Sequence, residues 1–292
     1  MNKYPEIILG TVQLGIDYGI SNTKGKPATE EAIEILTVAY QNGICCLDTA
    51  EGYGNSQHII GLFHKKFPAC RFNIITKLSA KSLQGRSIID LINSDLNEMH
   101  IDCLEGYMFH NYKDFEEFNF IHKDLTALKT KGVIKKIGVS VYTNEEAIKV
   151  LDSGLTDFIQ VPYNLLDNDY QRREVFEKAA SSKIKVHTRS VFLQGLFYME
   201  HQHIPEKLKP LIPYLQKIKE MAEEAGISIQ EMAMLYVRSN PLIEACLLGV
   251  ANVEQLHENV KLTNGTLNPG ILERINAIRV FEKNLLNPNN WN

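Results

Sequence analysis

Eight short apolar runs, separated by longer stretches of helical period, constrain this chain more than any other feature. The runs are 6–11 (EIILGT), 44–48, 72–77, 104–109, 134–140 (IKKIGVS), 157–161 (DFIQV), 184–189 (IKVHTR) and 245–249 (ACLLG). Each is brief and apolar, as a strand covered on both faces must be. The stretches between them are amphipathic. In 30–42, for instance, Ile33, Leu36, Ala39 and Tyr40 recur at helical spacing. Thr143 with Glu146, and Ser228 with Glu231, read as capping boxes that open helices. Eight strands alternating with helices over 292 residues predict a (β/α)8 TIM barrel rather than an open doubly wound sheet. No change of composition marks a linker, so residues 1–292 are expected to form one domain. Three stretches interrupt the alternation: a Gly-rich loop at 15–28, a long loop at 193–210, and a terminal helix at 270–287.

Chemistry in such a barrel belongs at the C-terminal ends of the strands. The segment Gly43 to Gly54 (GICCLDTAEGYG) brings Asp48 to the end of the second run, and Tyr53 follows in a glycine-flanked turn. The third run ends on Lys77, and His110 follows the fourth. A phenol, with a pKa of about 10, is a poor acid or base at neutral pH unless neighbours tune it. Taken singly, these residues have bland readings: a loop-bonding acid, a packing tyrosine, a solvated lysine, a structural histidine. On one face of one barrel they point to proton transfer.

Two other motifs carry less. Gly52-Tyr53-Gly54 follows a strand as a dinucleotide fingerprint would. Its third glycine position is Gln57, however, and the next strand ends in Lys77 rather than an acid. His201 and His203 lack a third ligand nearby, so no metal is expected.

The run DTAxxYG, with later strands ending in TK and in H, resembles the catalytic tetrad of the aldo-keto reductases. The resemblance extends from LGTVQLG at 9–15 to residue 260. It implies an NAD(P)(H)-dependent oxidoreductase that interconverts an aldehyde, ketone or sugar derivative with its alcohol. Tyr53 would be the general acid, Lys77 the cation that lowers its pKa, Asp48 the partner of Lys77, and His110 the group that orients the carbonyl. The same fold serves the potassium-channel beta subunits, so a cofactor-binding regulatory subunit is the alternative.

The resemblance also implies a cofactor site. Gly10, Thr11 and Asp48 would underlie it, with Ser140 and Gln160 at the carboxamide. Val141 stands where the family usually has Asn, and Arg189 where many members stack an aromatic ring on the nicotinamide. Ser190, Phe192, Gln194 and Gly195 would follow the pyrophosphate. Gly249, Asn252, Gln255 and Asn259 would meet the adenosine at a helix N-terminus. NADP(H) is implied ahead of NAD(H), yet no Lys or Arg lies between Gly249 and Asn259 to hold a 2′-phosphate. The expectation is therefore a modest preference for NADP(H). Val12, Tyr18, Asn111 and Tyr163, with Tyr53 and His110, are expected to line the substrate pocket.

Composition narrows the partners. A formal charge of −4 gives no reason to expect nucleic acid or an anionic membrane surface. No apolar run approaches a bilayer span, and the first residues lack a signal-peptide pattern. Five cysteines without a CxxC pair read as reduced, buried thiols, which suits the cytoplasm. The expected partner is a small carbonyl or alcohol compound, with room for self-association. MNKYP leaves little length for the hairpin that commonly plugs such barrels, so other residues, or a partner chain, should cover the bottom.

Overall fold

A computed structural model of the chain describes residues 5–22, 24–83, 85–262 and 265–291. Met1 to Tyr4, Thr23, Gln84, Thr263, Asn264 and Asn292 lie outside them. The strands are β1 Glu6–Gly10, β2 Cys46–Asp48, β3 Asn73–Leu78, β4 Gly106–Phe109, β5 Ile137–Ser140, β6 Phe158–Pro162, β7 Lys185–Arg189 and β8 Ala245–Gly249. They close into a parallel barrel in chain order, with β8 paired to β1. Each expected run coincides with one strand, with β3 and β6 each running one residue past it, so the (β/α)8 reading holds. β2 is shorter than its run: Cys45 precedes it and is exposed, whereas Cys46 and Cys246 are buried. The expectation that the thiols are all buried is thereby corrected.

Alternation decides which side chains fill the barrel. Ile8, Cys46, Ile75, Met108, Phe158, Ala245 and Leu247 form its inner cluster. The Phe158 ring takes up space that β4 and β5 leave by carrying glycine. A Cβ on Gly138 would lie 2.4 Å from that ring. His187 stacks against Phe158 from β7, with ring centroids 4.6 Å apart. At the N-terminal strand ends, Glu105 pairs with Lys135 and Lys136, and Glu244 with Lys185 and Lys136. Among the described residues, Phe158 and His187 fill this end of the barrel beside the ion pairs, which is one of the two covers the sequence left open.

The helix Thr29–Gln41 buries Ala32, Ile35, Leu36 and Ala39, while Ile33 and Tyr40 are only partly covered. The buried stripe is the one opposite exposed Glu30, Glu34 and Gln41, which sets the rotation that apolar spacing alone left open. Thr143 and Glu146 make the full capping box, with Glu146 N–H donating to Thr143 Oγ1 at 3.1 Å and Thr143 N–H to Glu146 Oε2 at 3.0 Å. Ser228 accepts from Glu231 N–H at 3.0 Å.

Two expectations about the C-terminal half change. The loop at 193–210 carries three 3-10 turns, Leu193–Tyr198, His201–His203 and Glu206–Leu211. The terminal helix covers only Pro269–Asn276. Asn168 stops it by donating from Nδ2 to the carbonyls of Ile275 and Ile278, at 2.8 and 3.1 Å. Among the described residues, no helix is long and apolar enough to cross a membrane.

Candidate active site

A cavity of about 600 Å³ opens over the C-terminal ends of the strands. β2 and β3 are neighbours, and their ends bring Lys77 Nζ onto Asp48 Oδ1, with both side chains buried. Lys77 Nζ also donates to the carbonyl of Thr49 at 3.1 Å. Gln160, inward-facing on β6, donates from Nε2 to the other carboxylate oxygen of Asp48 at 2.9 Å. A buried ion pair of this kind needs further hydrogen bonds to offset its lost hydration, and these two supply one to each partner. Thr11 fastens β1 to the same strand end, its hydroxyl donating to the Asp48 carbonyl at 3.0 Å.

Tyr53 stands above the pair. Its ring lies 5.0 Å from Lys77 Nζ, and His110 meets it edge-on with centroids 5.7 Å apart. Burial pushes the phenol well above its ordinary pKa, the Asp48 carboxylate adds to that, and the Arg189 guanidinium works against it. Burial also lowers His110 to about 4, with Lys77 contributing, so its imidazole is neutral at ordinary pH. Lys77 is lowered by burial and drawn back up by Asp48. The sequence assigned the lowering of Tyr53 to Lys77. In the structure the net shift is upward, and the cation opposing it is Arg189. The reason is burial, which outweighs the neighbouring cations while the phenol is neutral.

All four tetrad residues line the cavity. So do Gly10, Thr11, Val12, Tyr18, Ser140, Gln160, Arg189, Ser190, Phe192, Gln194, Gly195, Gly249, Asn252, Gln255 and Asn259. Asn111 and Tyr163 do not, which corrects their assignment to the pocket. Asn111 caps the helix Tyr112–Glu117, accepting from Asp114 N–H at 2.8 Å. Tyr163 is buried on the helix side and stacked on Tyr236, with centroids 5.2 Å apart. Val141 is likewise buried away from the cavity. Tyr142, which the sequence reading missed, reaches the cavity and carries the Arg189 guanidinium 4.0 Å over its ring. The signal was available: inward Gly138 and Ser140 on β5 put residue 142, not 141, on the inner side. Gln13, Lys24, Lys26 and Glu258 also line the cavity without having been singled out.

Two loops meet across it. Gln194 donates from Nε2 to the Tyr18 hydroxyl at 3.0 Å. A Cβ on Gly195, at φ +88°, would lie 1.8 Å from Ser21 Oγ, so this crossing requires glycine. At the far end, the helix Val253–Lys261 presents its N-terminus, where Asn252 Oδ1 accepts from Gln255 N–H and Gln255 Oε1 from Ala251 N–H, both at 2.8 Å.

Behind the tetrad lies a buried acid pair. Gln57 Nε2 donates to Thr76 Oγ1 at 3.0 Å and to Asp95 Oδ1 at 3.2 Å. Among the described residues, Asp95 Oδ2 and the Tyr107 hydroxyl have no hydrogen-bond partner. Burial pushes Asp95 up to about 8, with the Glu51 carboxylate adding. A raised carboxyl stabilises the fold fully below its unfolded pKa of about 4, and that contribution is lost as pH rises to 8. Asp95→Asn keeps an acceptor for Gln57 and removes the titration. The variant should match the parent near pH 4 and exceed it above pH 8, by up to about 6 kcal/mol at 1.4 kcal/mol per pH unit. Urea midpoints at the two pH values check this; equal gains at both would reject it.

The model of the aldo/keto reductase family matches residues 6–280, and the chain belongs to that family. An NADH-specific methylglyoxal reductase of Escherichia coli K12 is 25% identical over 269 residues, covering 80% of this chain and 82% of its own length. A putative voltage-gated potassium channel subunit beta of Schizosaccharomyces pombe is 24% identical, covering 86% of this chain and 85% of its own. Among solved structures, the holo form of an aldo-keto reductase from Bacillus halodurans shares the fold with a TM-score of 0.74. It is 18% identical and covers 92% of this chain and 90% of its own.

Proposed function

We propose that the protein is a nicotinamide-dependent oxidoreductase that interconverts an aldehyde or ketone, sugar derivatives included, with its alcohol. The observation that carries this reading is the convergence of Tyr53, His110 and the Lys77–Asp48 pair at one cavity. The reduced cofactor, when bound, supplies hydride to the carbonyl carbon. Tyr53 gives its proton to the carbonyl oxygen as the C=O π bond becomes a C–H and an O–H bond, and solvent reprotonates the phenolate. Neutral His110 donates its N–H to the same oxygen and fixes its approach. Lys77 stabilises the charge that Tyr53 acquires, while Asp48 and Gln160 hold Lys77 in place. In alcohol oxidation the same groups run in reverse.

The residues present fit such a cofactor. The helix N-terminus at Val253, with Gly249, Asn252, Gln255 and Asn259, suits the adenosine end. Ser190, Phe192, Gln194 and Gly195 run along the middle. Ser140 and Gln160 are assigned to the carboxamide, over a floor made by Gly10 and Thr11. A screen of aldehydes and ketones with both cofactors, followed by nicotinamide absorbance, tests the reading. Cofactor binding without turnover of any carbonyl would favour the regulatory-subunit alternative.

For the cofactor we infer a modest preference for NADP(H) with measurable use of NAD(H). A 2′-phosphate needs cations or donors to offset its lost hydration, and the helix end offers Asn252 and Gln255 without a basic residue. Gln255→Arg should tighten NADP(H) binding about tenfold relative to NAD(H). Side-by-side fluorescence titrations measure it. Discrimination of the parent beyond about a thousandfold, some 4 kcal/mol, would contradict the inference.

A further inference from the structure

Arg189 is a cation in the wrong company for a structural role. It ends β7, lines the cavity, and has no carboxylate partner among the described residues. Its guanidinium lies 4.0 Å over the Tyr142 ring, and Nη2 donates weakly to the Val141 carbonyl at 3.3 Å. These contacts orient the planar fork without neutralising it. The charge is felt at the reaction end, since Tyr53, His110, Lys77 and Tyr18 all sense it. The one carboxylate among these reaction-end groups, Asp48, is committed to Lys77 and Gln160. Arg189 therefore brings to the reaction end a positive charge that no carboxylate among the described residues pairs directly.

We propose that the carbonyl compound taken by this site bears an anionic group, a carboxylate or a phosphate, which Arg189 receives. This rests on the oxidoreductase reading above and names its substrate class. The guanidinium fork matches a carboxylate or a phosphate with two parallel N–H···O bonds. With one face on Tyr142, the fork enters binding already ordered, which reduces the entropy lost. Such an anchor positions the carbonyl toward Tyr53 and His110 instead of adding affinity alone. A neutral analogue of the same size loses the anchor and leaves the guanidinium unpaired as the cavity fills.

Matched substrate pairs test the proposal: 4-carboxybenzaldehyde against its methyl ester, and glyceraldehyde 3-phosphate against glyceraldehyde. In the parent, kcat/KM for the anion should exceed that for its neutral partner by about ten- to a hundredfold in at least one pair. The pair that shows it tells carboxylate from phosphate. In Arg189→Gln the ratio should collapse towards one, and Arg189→Lys should keep part of it. Because both members of a pair use the same cofactor, the ratio cancels any effect of Arg189 on cofactor binding, and a cofactor titration shows that each variant is folded. Equal use of both members by the parent, or a ratio that survives Arg189→Gln, overturns the proposal while leaving the oxidoreductase reading in place. No turnover of either member of either pair, or of any compound in the wider screen, sinks both.

Discussion

Tyr53→Phe is expected to slow carbonyl reduction roughly 10²–10⁴-fold, the usual worth of a positioned general acid. Cofactor affinity and the unfolding midpoint should stay close to those of the parent. The separation follows from the contacts. The ring supplies the packing, edge-on against His110 and over Lys77, and Phe keeps the ring. The hydroxyl supplies only the proton. Because burial and Asp48 keep the phenol protonated through neutral pH, the parent's rate of reduction should be flat from about pH 6 to 8. A variant that keeps most of its activity removes Tyr53 from the mechanism.

Lys77→Met should have the second large effect, on two separate readouts. It leaves the Asp48 carboxylate buried with only Gln160 and no cation, and breaking a buried pair from one side typically costs about 3–5 kcal/mol. It also removes the charge that stabilises the developing phenolate, so reduction slows by an amount comparable with the loss of Tyr53. Adding Asp48→Asn to Lys77→Met should restore much of the stability, because no unpaired charge then remains. It should restore none of the activity. Denaturant midpoints and kcat/KM on the single and double variants separate the two. Activity that recovers together with stability would mean Lys77 acts only by holding the fold.

The barrel was legible because strands covered on both faces have to be short apolar runs, and eight of them alternate with helical stretches along the chain. The convergence of four candidate residues on one cavity was legible because each sits at or just past the end of such a run, at Asp48, Lys77 and His110, or in the turn that follows one, at Tyr53. Parity beyond the strand end was misread. Gln160 faces inward, so Tyr163, three residues on, faces the helices; His110 faces inward, so Asn111 turns away and caps a helix. The same counting finds Tyr142. What no local pattern could give is the meeting of the loops at Tyr18 and Gln194, or the stacking of Arg189 on Tyr142, since each depends on two segments far apart in sequence.

The central claim is that this chain moves a hydride and a proton, and isotope transfer tests it most directly. The protein is supplied with reduced cofactor carrying two deuterium atoms at C4 of the nicotinamide and, in turn, with each carbonyl compound of the screen. The account predicts one deuterium on the carbinol carbon, an alcohol proton drawn from solvent, and one cofactor oxidised per alcohol formed. Across the full panel of charged and neutral carbonyls, cofactor bound tightly but never oxidised, with no deuterium in any product, would contradict it.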